Sequence, residues 1–481
     1  MKKFKIVMLI SGGAALLNLG LTQLNAPVVA HASESSNVST WDGTTLAEPT
    51  QSVIMGGQTF YVVRTASQLA YLRSTGSLSN NYILVNDIDL ASHDWSPICV
   101  SKAASDSSQS NTSSFNGVLD GNGHTIKNFK LAGTTSQHVD YNPSGDVSKD
   151  SHKASVVGFV GQVGSNGVVK NLNFTGSQTE AAVGTYCYYW FNGAIIGRNF
   201  GTVRNISADS IKLRTEGYGY KSTVAFYTYV QDAGMGVLCG RNEGTIAFTS
   251  IKNSQLDVVG NCQITYTSWV KTYYFQLTHM RYGQNAGYIN NYSASTYHDN
   301  YYYKTTLNKS FTNVTEDSNQ LDTHSVEVTS STGFSIPDSP KATSSLTDNF
   351  VPFDPTGTIY QNQTSKSLDK AISLLGADCA TCTAAYIQSC INDYNIDSAS
   401  KNVYENITAS QSYNGNSVTM SAFDKLKEYA KRYNLNVYTK ASSASLITSS
   451  SSNSSVIALG ILATIACLSA GAYVTLKQKD A

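Results

Sequence analysis

The sequence predicts an all-β ectodomain of stacked parallel strands, followed by a small C-terminal helical module and a C-terminal transmembrane helix. Three observations carry that reading: glycine-anchored repeats between residues 158 and 291, amphipathic periodicity after residue 366, and an uncharged apolar run at 456–476. Composition agrees with it. Of 481 residues 41% are hydrophobic and only 14% charged, with 36 Gly, 30 Tyr and 8 Pro, a profile of exported, strand-rich proteins. Lys+Arg and Asp+Glu balance at 33 each, so the chain has no basic footprint for nucleic acid and none is expected as a partner.

In chain order, residues 1–32 read as a signal peptide. Lys2, Lys3 and Lys5 form its basic start, Ile6 to Leu21 its apolar stretch, and Ala30-His31-Ala32 its small-x-small cleavage site. Export is therefore expected, with a mature chain from Ser33. At the far end, Val456 to Leu476 holds 21 residues without a charge, enough to cross a hydrocarbon core about 30 Å thick. Lys477 and Lys479 follow, and the positive-inside rule makes 477–481 a cytoplasmic tail. Residues 441–455 are nearly all Ser, Ala and Thr and read as a flexible linker. These segments predict a single-pass protein of the cell membrane with its ectodomain outside. Their order resembles the C-terminus of Gram-positive surface proteins, but no LPxTG-like motif precedes the span, so membrane retention is expected in place of covalent attachment.

The repeats align on glycine. Gly158-Phe159-Val160-Gly161 leads to Asn166-Gly167-Val168-Val169-Lys170-Asn171. Gly193-Ala194-Ile195-Ile196-Gly197 leads to Asn199-Phe200-Gly201-Thr202-Val203-Arg204-Asn205. Gly236-Val237-Leu238-Cys239-Gly240 leads to Asn242-Glu243-Gly244-Thr245-Ile246, and Gly283-Gln284-Asn285-Ala286-Gly287-Tyr288-Ile289-Asn290-Asn291 is a weaker fourth copy. Anchors at 161, 197, 240 and 283 are separated by 36, 43 and 43 residues. Short β-branched runs around Gly turns predict strands, and four copies predict a solenoid. The spacing suits either two turns of a parallel β-helix per repeat or one turn with a long excursion. Stacking would put Val169, Val203, Ile246 and Ile289 in one inward column above Ile126. Asn128, Asn171, Asn205 and Asn291 would form a ladder two residues later, with Phe248 replacing Asn in the third copy.

The G-h-h-G and N-x-G-T-V-x-N pattern resembles the GLUG motif of bacterial surface proteins. The stretch from Thr65-Ala66-Ser67-Gln68-Leu69 through Asp87-Ile88-Asp89-Leu90 and Trp95-Ser96-Pro97-Ile98 to Asp120-Gly121-Asn122-Gly123-His124 resembles the leading coils that precede it. The resemblance implies a right-handed parallel β-helix of the pectin-lyase-like class, here over residues 33–303. That class occurs in exported proteins including adhesins and some IgA-specific metallopeptidases.

Residues 304–365 are polar and weakly patterned and read as a mix of irregular strand and linker. A helical module follows at 366–440, with one amphipathic helix over Ser367 to Tyr394 (Leu368, Ala371, Ile372, Leu375) and another over Ser421 to Tyr433 (Phe423, Leu426, Tyr429).

The chemistry is sparse. None of the eight histidines begins an HExxH, which excludes zincin catalysis, and no metal or cofactor is expected. Asp87, Asp89, Asp94 and Asp120 are the weak catalytic candidates, since a glycosidase needs two carboxylates about 5 to 9.5 Å apart. Turn formation is the competing role for D-I-D-L and D-G-N-G-H, and His124 in that turn is expected to bond to the adjacent coil. Cys379-Ala380-Thr381-Cys382 with Cys390 has redox or zinc spacing but lacks a second ligand pair, so a local disulfide or helix-packing thiols are expected; Cys239 is expected inside the core. Fourteen of the 30 tyrosines fall between Tyr218 and Tyr303. Tyr188, Tyr189, Trp190, Tyr218 and Tyr220 are candidates for stacking on a sugar or docking a protein, against a role as cross-strand cover. The function expected is a membrane-anchored bacterial cell-surface scaffold for adhesion, binding a wall or host glycan or a protein. The alternative is a polysaccharide lyase or glycoside hydrolase on the same scaffold.

Overall fold

The computed structural model describes residues 38–99, 114–131, 154–329 and 361–438, apart from short internal stretches of which 219–231 is the longest. The segments read as signal peptide (1–32), linker (441–455), transmembrane helix (456–476) and cytoplasmic tail (477–481) lie outside the described residues. Among the described residues, no helix is long and apolar enough to cross a membrane.

The described part of the chain is mostly β and its sheets are mostly parallel. Val168–Gly176, Gln178–Ala182, Tyr189–Gly193 and Ile196–Asn199 follow one another along the chain. Each pairs in parallel with its counterpart one repeat later, Thr202–Asp209, Lys212–Tyr218, Asp232–Gly236 and Cys239–Asn242. The next repeat adds Thr245–Lys252, Gln255–Asn261, Leu277–Gly283 and Ala286–Ile289 in the same register. The chain thus crosses four parallel sheets once per repeat, and a hairpin, Thr265–Ser268 with Lys271–Tyr274, lengthens the third.

Register corrects the fourth copy. Val160, Ile196, Cys239 and Ala286 are in line, which gives steps of 36, 43 and 47. The true counterpart of Gly197 and Gly240 is therefore Gly287, while Gly283 matches Gly236. Ile289 pairs with Asn242, and Tyr297 takes the place above Ile246 that Ile289 was expected to fill. Leu119, Val169, Val203, Ile246 and Tyr297 make one buried column. Ile126 belongs to another, with Ile88, Phe174, Ala208 and Ile251. Cys239 is fully buried, as its column position requires, and burial pushes its thiol pKa up. Burying each such aliphatic side chain stabilises by roughly 1.5–3 kcal/mol, so these columns supply most of the cohesion.

A bend inside the first strand of each repeat needs special backbone. Asn171 and Asn205 adopt left-handed angles (φ 54° each), as do Phe248 (56°) and Asp299 (53°) in the following repeats. Asn205 Nδ2 donates to Asn171 Oδ1 at 2.7 Å, and Asn171 Nδ2 to Asp120 Oδ1 at 3.0 Å. Of the expected ladder the Asn171–Asn205 step is formed, and below it Asn171 bonds Asp120 in place of Asn128. Asn128 is also left-handed (52°) but braces another bend, bonding Asp89 at 2.8 Å. Asn291 lies outside the described residues. At the tight corner between two sheets, a Cβ on Gly197 would lie 2.5 Å from Gly161 O, and one on Gly240 would lie 2.4 Å from Asn192 N, so only glycine fits.

Helix α1, Ala66–Tyr71, covers the N-terminal end of the core. Thr65 and Gln68 form its capping box, and Ala66, Leu69 and Ala70 share the core with Trp41 and Trp95. The Arg73 guanidinium lies 4.8 and 5.0 Å from those two rings.

The segment expected as irregular strand and linker continues the sheets. Thr306–Thr312, Val314–Glu316 and Val326–Glu327 each add a parallel strand. Beyond it the long helix expected from Ser367 is two, α2 (Gln363–Gly376) and α3 (Ala384–Tyr394), each with its own N-cap, Asn362 and Thr383. Next come α4 (Ser398–Asn406), the hairpin Thr408–Tyr413 with Asn416–Ser421, and α5 (Ala422–Arg432). Buried Lys425 of α5 donates to Leu375 O, Ala377 O and Gln411 Oε1, satisfying carbonyls that the end of α2 leaves open. Cys390 is a buried thiol of this helical core and not in a disulfide; Cys379 lies outside the described residues.

The helical module is not a separate body beyond a linker. Ile54 pairs with Thr408, and Phe60, Val62, Ile83 and Val85 share a core with Leu368, Ile372, Ile391 and Leu426. In those first strands Tyr61, Val63, Tyr82 and Leu84 face the repeat core while their neighbours face the helices.

Asn205→Ala is expected to lower unfolding free energy by about 2–4 kcal/mol, through the left-handed angle and the lost buried bond together. Asn205→Gly keeps the angle available and should lose only about half as much. Urea titration of both variants measures this, and equal losses would remove backbone angle from the explanation.

Candidate functional site

Each of the four candidate aspartates is committed to a structural contact. Asp120 accepts from Asn122 N (2.9 Å) and Asn171 Nδ2 and faces Lys170 Nζ at 3.2 Å, with both side chains of that pair buried. Asp89 accepts from Ala91 N (2.7 Å) and Asn128. Exposed Asp94 pairs with Lys130 at 2.7 Å. Asp87 accepts from Thr125 N and contacts His124 (3.3 Å) and Lys127 (2.9 Å). Among the described contacts no two of the four share a partner, so no facing carboxylate pair is formed through them.

His124 does bond the neighbouring turn, as expected, but it also reaches an unexpected element. Its Nδ1 faces Asp87 and its Nε2 lies 3.1 Å from Asp369 Oδ2 on α2. Gln361 Nε2 and Asn122 Nδ2 bond Asp369 as well. Burial alone would lower the His124 pKa, but the Asp369 and Asp87 carboxylates outweigh it and raise it to about 9. Burial opposes ionisation of Asp87 too, yet bonds from His124, Lys127 and Thr125 hold its carboxyl well below the usual range. A charged imidazole between two carboxylates thus fastens the helical module to the first repeats.

Tyr189 and Trp190 open strand Tyr189–Gly193 and Tyr218 closes Lys212–Tyr218, in different sheets. Tyr188 and Tyr220 lie outside the described residues.

What sequence reading passed over is the turn that follows the glycine corner. Arg198-Asn199-Phe200-Gly201-Thr202 and Arg241-Asn242-Glu243-Gly244-Thr245 lie in register. Asn199 Nδ2 donates to Asn242 Oδ1 at 2.7 Å, and each Asn oxygen accepts the N–H two residues on, from Gly201 and Gly244. These are Asx turns, which is why the motif needs Asn there. A Cβ on Gly201 would lie 2.2 Å from Gly167 O, and one on Gly244 2.2 Å from Gly201 O.

Behind these turns guanidinium and ring alternate. Arg198 lies 4.3 Å from Phe200 and 5.4 Å from Phe191; Arg241 lies 4.9 Å from Phe191 and 4.6 Å from Tyr288; Arg281 lies 3.9 Å from Tyr288. Glu243 Oε1 takes both Arg198 Nη2 and Arg241 Nε at 2.7 Å. In front of the turns is an open cleft of about 310 Å³, lined by Phe200, Thr202, Glu243, Thr245, Ser293 and Thr296 among others. The recurrence of R-N-x-G-T 43 residues apart was the available signal for it.

No family model matches the chain. It is 27% identical over 157 residues to a protein described as a Gly-rich membrane protein of Evansella cellulosilytica, covering 31% of this chain and 14% of that one. It is 28% identical over 135 residues to halomucin of Haloquadratum walsbyi, covering 28% of this chain and 1% of that one. The chain therefore matches only a small part of the length of either relative. No solved structure matches.

The His124 contact sets a pH window. Its contribution is complete below about 6.5, the unfolded value, and is lost as pH rises through about 9; the interval corresponds to on the order of 3 kcal/mol. That from Asp87 is complete above about 3.8 and is lost as pH falls below it. Thermal midpoints at constant ionic strength should be highest near pH 5 to 6.5 and decline above 7. His124→Gln should lower that plateau and flatten the alkaline decline; an unchanged decline would show that another group causes it.

Proposed function

We propose that the chain is a bacterial cell-surface protein, held at a Gram-positive membrane by its C-terminal apolar run, whose repeats form a right-handed parallel β-helix of the GLUG type. The β-helix acts as a rigid scaffold that binds a wall or host ligand. The observation that carries this reading is the passage through four parallel sheets once per repeat. It sets identical turns above one another at the strand spacing of about 4.8 Å and so offers a stiff, periodic outer face. The basic, apolar and small-x-small order of residues 1–32, the apolar run 456–476 and the likeness to a Gly-rich membrane protein and to halomucin support a surface location. The commitment of Asp87, Asp89, Asp94 and Asp120 to turns and ion pairs favours binding over hydrolysis or elimination.

Cell fractionation and protease treatment of intact cells test the reading. The protein is expected in the membrane fraction, cleavable from outside, and released to the medium when 456–481 is deleted. Full protection from protease together with recovery in the cytosol would overturn it.

A further inference from the structure

We propose that the cleft before the R-N-x-G-T turns binds a neutral saccharide segment of one or two rings. The proposal rests on the surface-scaffold reading for its setting and names the ligand class of that scaffold. At about 310 Å³ the cleft lies at the small end of ligand sites, which suits a short segment of a chain running past it.

The lining is what recognises a sugar. Thr202 and Thr245 are in register, so their hydroxyls repeat at the strand spacing; Ser293 and Thr296 line the cleft from the next repeat, with hydroxyls that already bond within their own turn, Thr296 Oγ1 donating to Ser293 O and Ser293 Oγ bonding Ser295. Hydroxyls both donate and accept, matching the ring of hydroxyls on a pyranose. Glu243 adds an acceptor fixed by two guanidiniums, so it does not have to be immobilised when a ligand arrives. Half-buried Phe200 offers an aromatic surface for the C–H face of a ring.

Charge selects the class. Glu243 lines the cleft, whereas Arg198 and Arg241, with side chains 4% and 8% exposed, stand behind it and do not. An arriving ligand meets hydroxyls and a carboxylate whose charge the two guanidiniums behind it offset; the cleft accepts donors from a neutral ring and has no cationic side chain in its lining to pair with a carboxylate or sulfate. Uronic-acid polymers are therefore disfavoured relative to neutral ones.

Saturation-transfer NMR on the detergent-solubilised full chain tests this with maltose, cellobiose, lactose and N,N′-diacetylchitobiose. Digalacturonate serves as the anionic control and a Ser/Thr-rich peptide as the other ligand class. Transfer is expected to at least one neutral disaccharide and not to digalacturonate. The near-isosteric double variant Thr202→Val/Thr245→Val should weaken binding about tenfold or more with the thermal midpoint kept. Glu243→Gln should weaken it similarly; should that variant unfold because it leaves two buried guanidiniums poorly paired, the threonine pair decides. No transfer from any of the four, binding of the peptide alone, or unchanged affinity in the threonine variant would overturn the proposal. A surface-exposed protein that ignores saccharides would sink the cleft and leave the scaffold, whereas a cytosolic protein that binds them would do the reverse.

Discussion

The described repeats of this molecule depend on parallel pairing in register from one to the next. A strand in such a stack finds all its backbone partners one repeat above and below, so a bend can occur only where every repeat bends alike. The left-handed angle shared by Asn171, Asn205, Phe248 and Asp299 is that condition made visible. Phe248 shows that the demand is on the backbone first: a phenylalanine accepts a conformation costly for it because its neighbours in the stack already impose it. Side-chain bonds between Asn205, Asn171 and Asp120 then favour residues for which the angle is cheap.

Much of this was legible because repetition is a long-range signal. The G-h-h-h-G corners, the inward Val169 and Val203, buried Cys239 and the asparagine ladder each follow from aligning one stretch on another. The alignment failed in the fourth copy, where Gly283-Gln284-Asn285-Ala286-Gly287 offers two glycines and the polar Gln284-Asn285 removes the apolar cue between them. The strands after residue 304 read only as irregular strand mixed with linker for a related reason. At the end of a stack, Thr306–Thr312 needs only one paired edge and a partial core, so its sequence is polar. The union of the helical module with the first strands was not readable at all, because Phe60, Val62 and Ile83 look like ordinary strand positions until their second face is seen covered.

Charge in this fold is managed by lamination. Lys170 with Asp120 and Arg198 and Arg241 with Glu243 lie in covered positions where lone ions would be costly; Lys170 and Arg198 are matched by a carboxylate one layer away, and Arg241 by the same Glu243 within its own layer. The arginines gain further from rings on both sides. The same residues that settle these charges also hold the Glu243 carboxylate at the cleft wall, so packing within the stack and the character of its outer surface are set by one group of side chains. His124 follows the same logic at the junction with α2, where the charge layer joins two elements remote in sequence.

The pairing of Ile54 with Thr408 and the contact of His124 with Asp369 bring the last helices back to the first strands. For a chain held through its C-terminal end, tension would enter at α5 and the hairpin before it and pass directly into the earliest strands. The repeats from Thr202 to Thr312 would lie off that line of force. A pull at the tether would then peel the helices from the sheet before it could unravel the stack, and a ligand held on the later turns would add load across the strands that carry it. The mechanical weak point and the binding face would be at separate places in the molecule, joined only through the stiffness of the ladder between them.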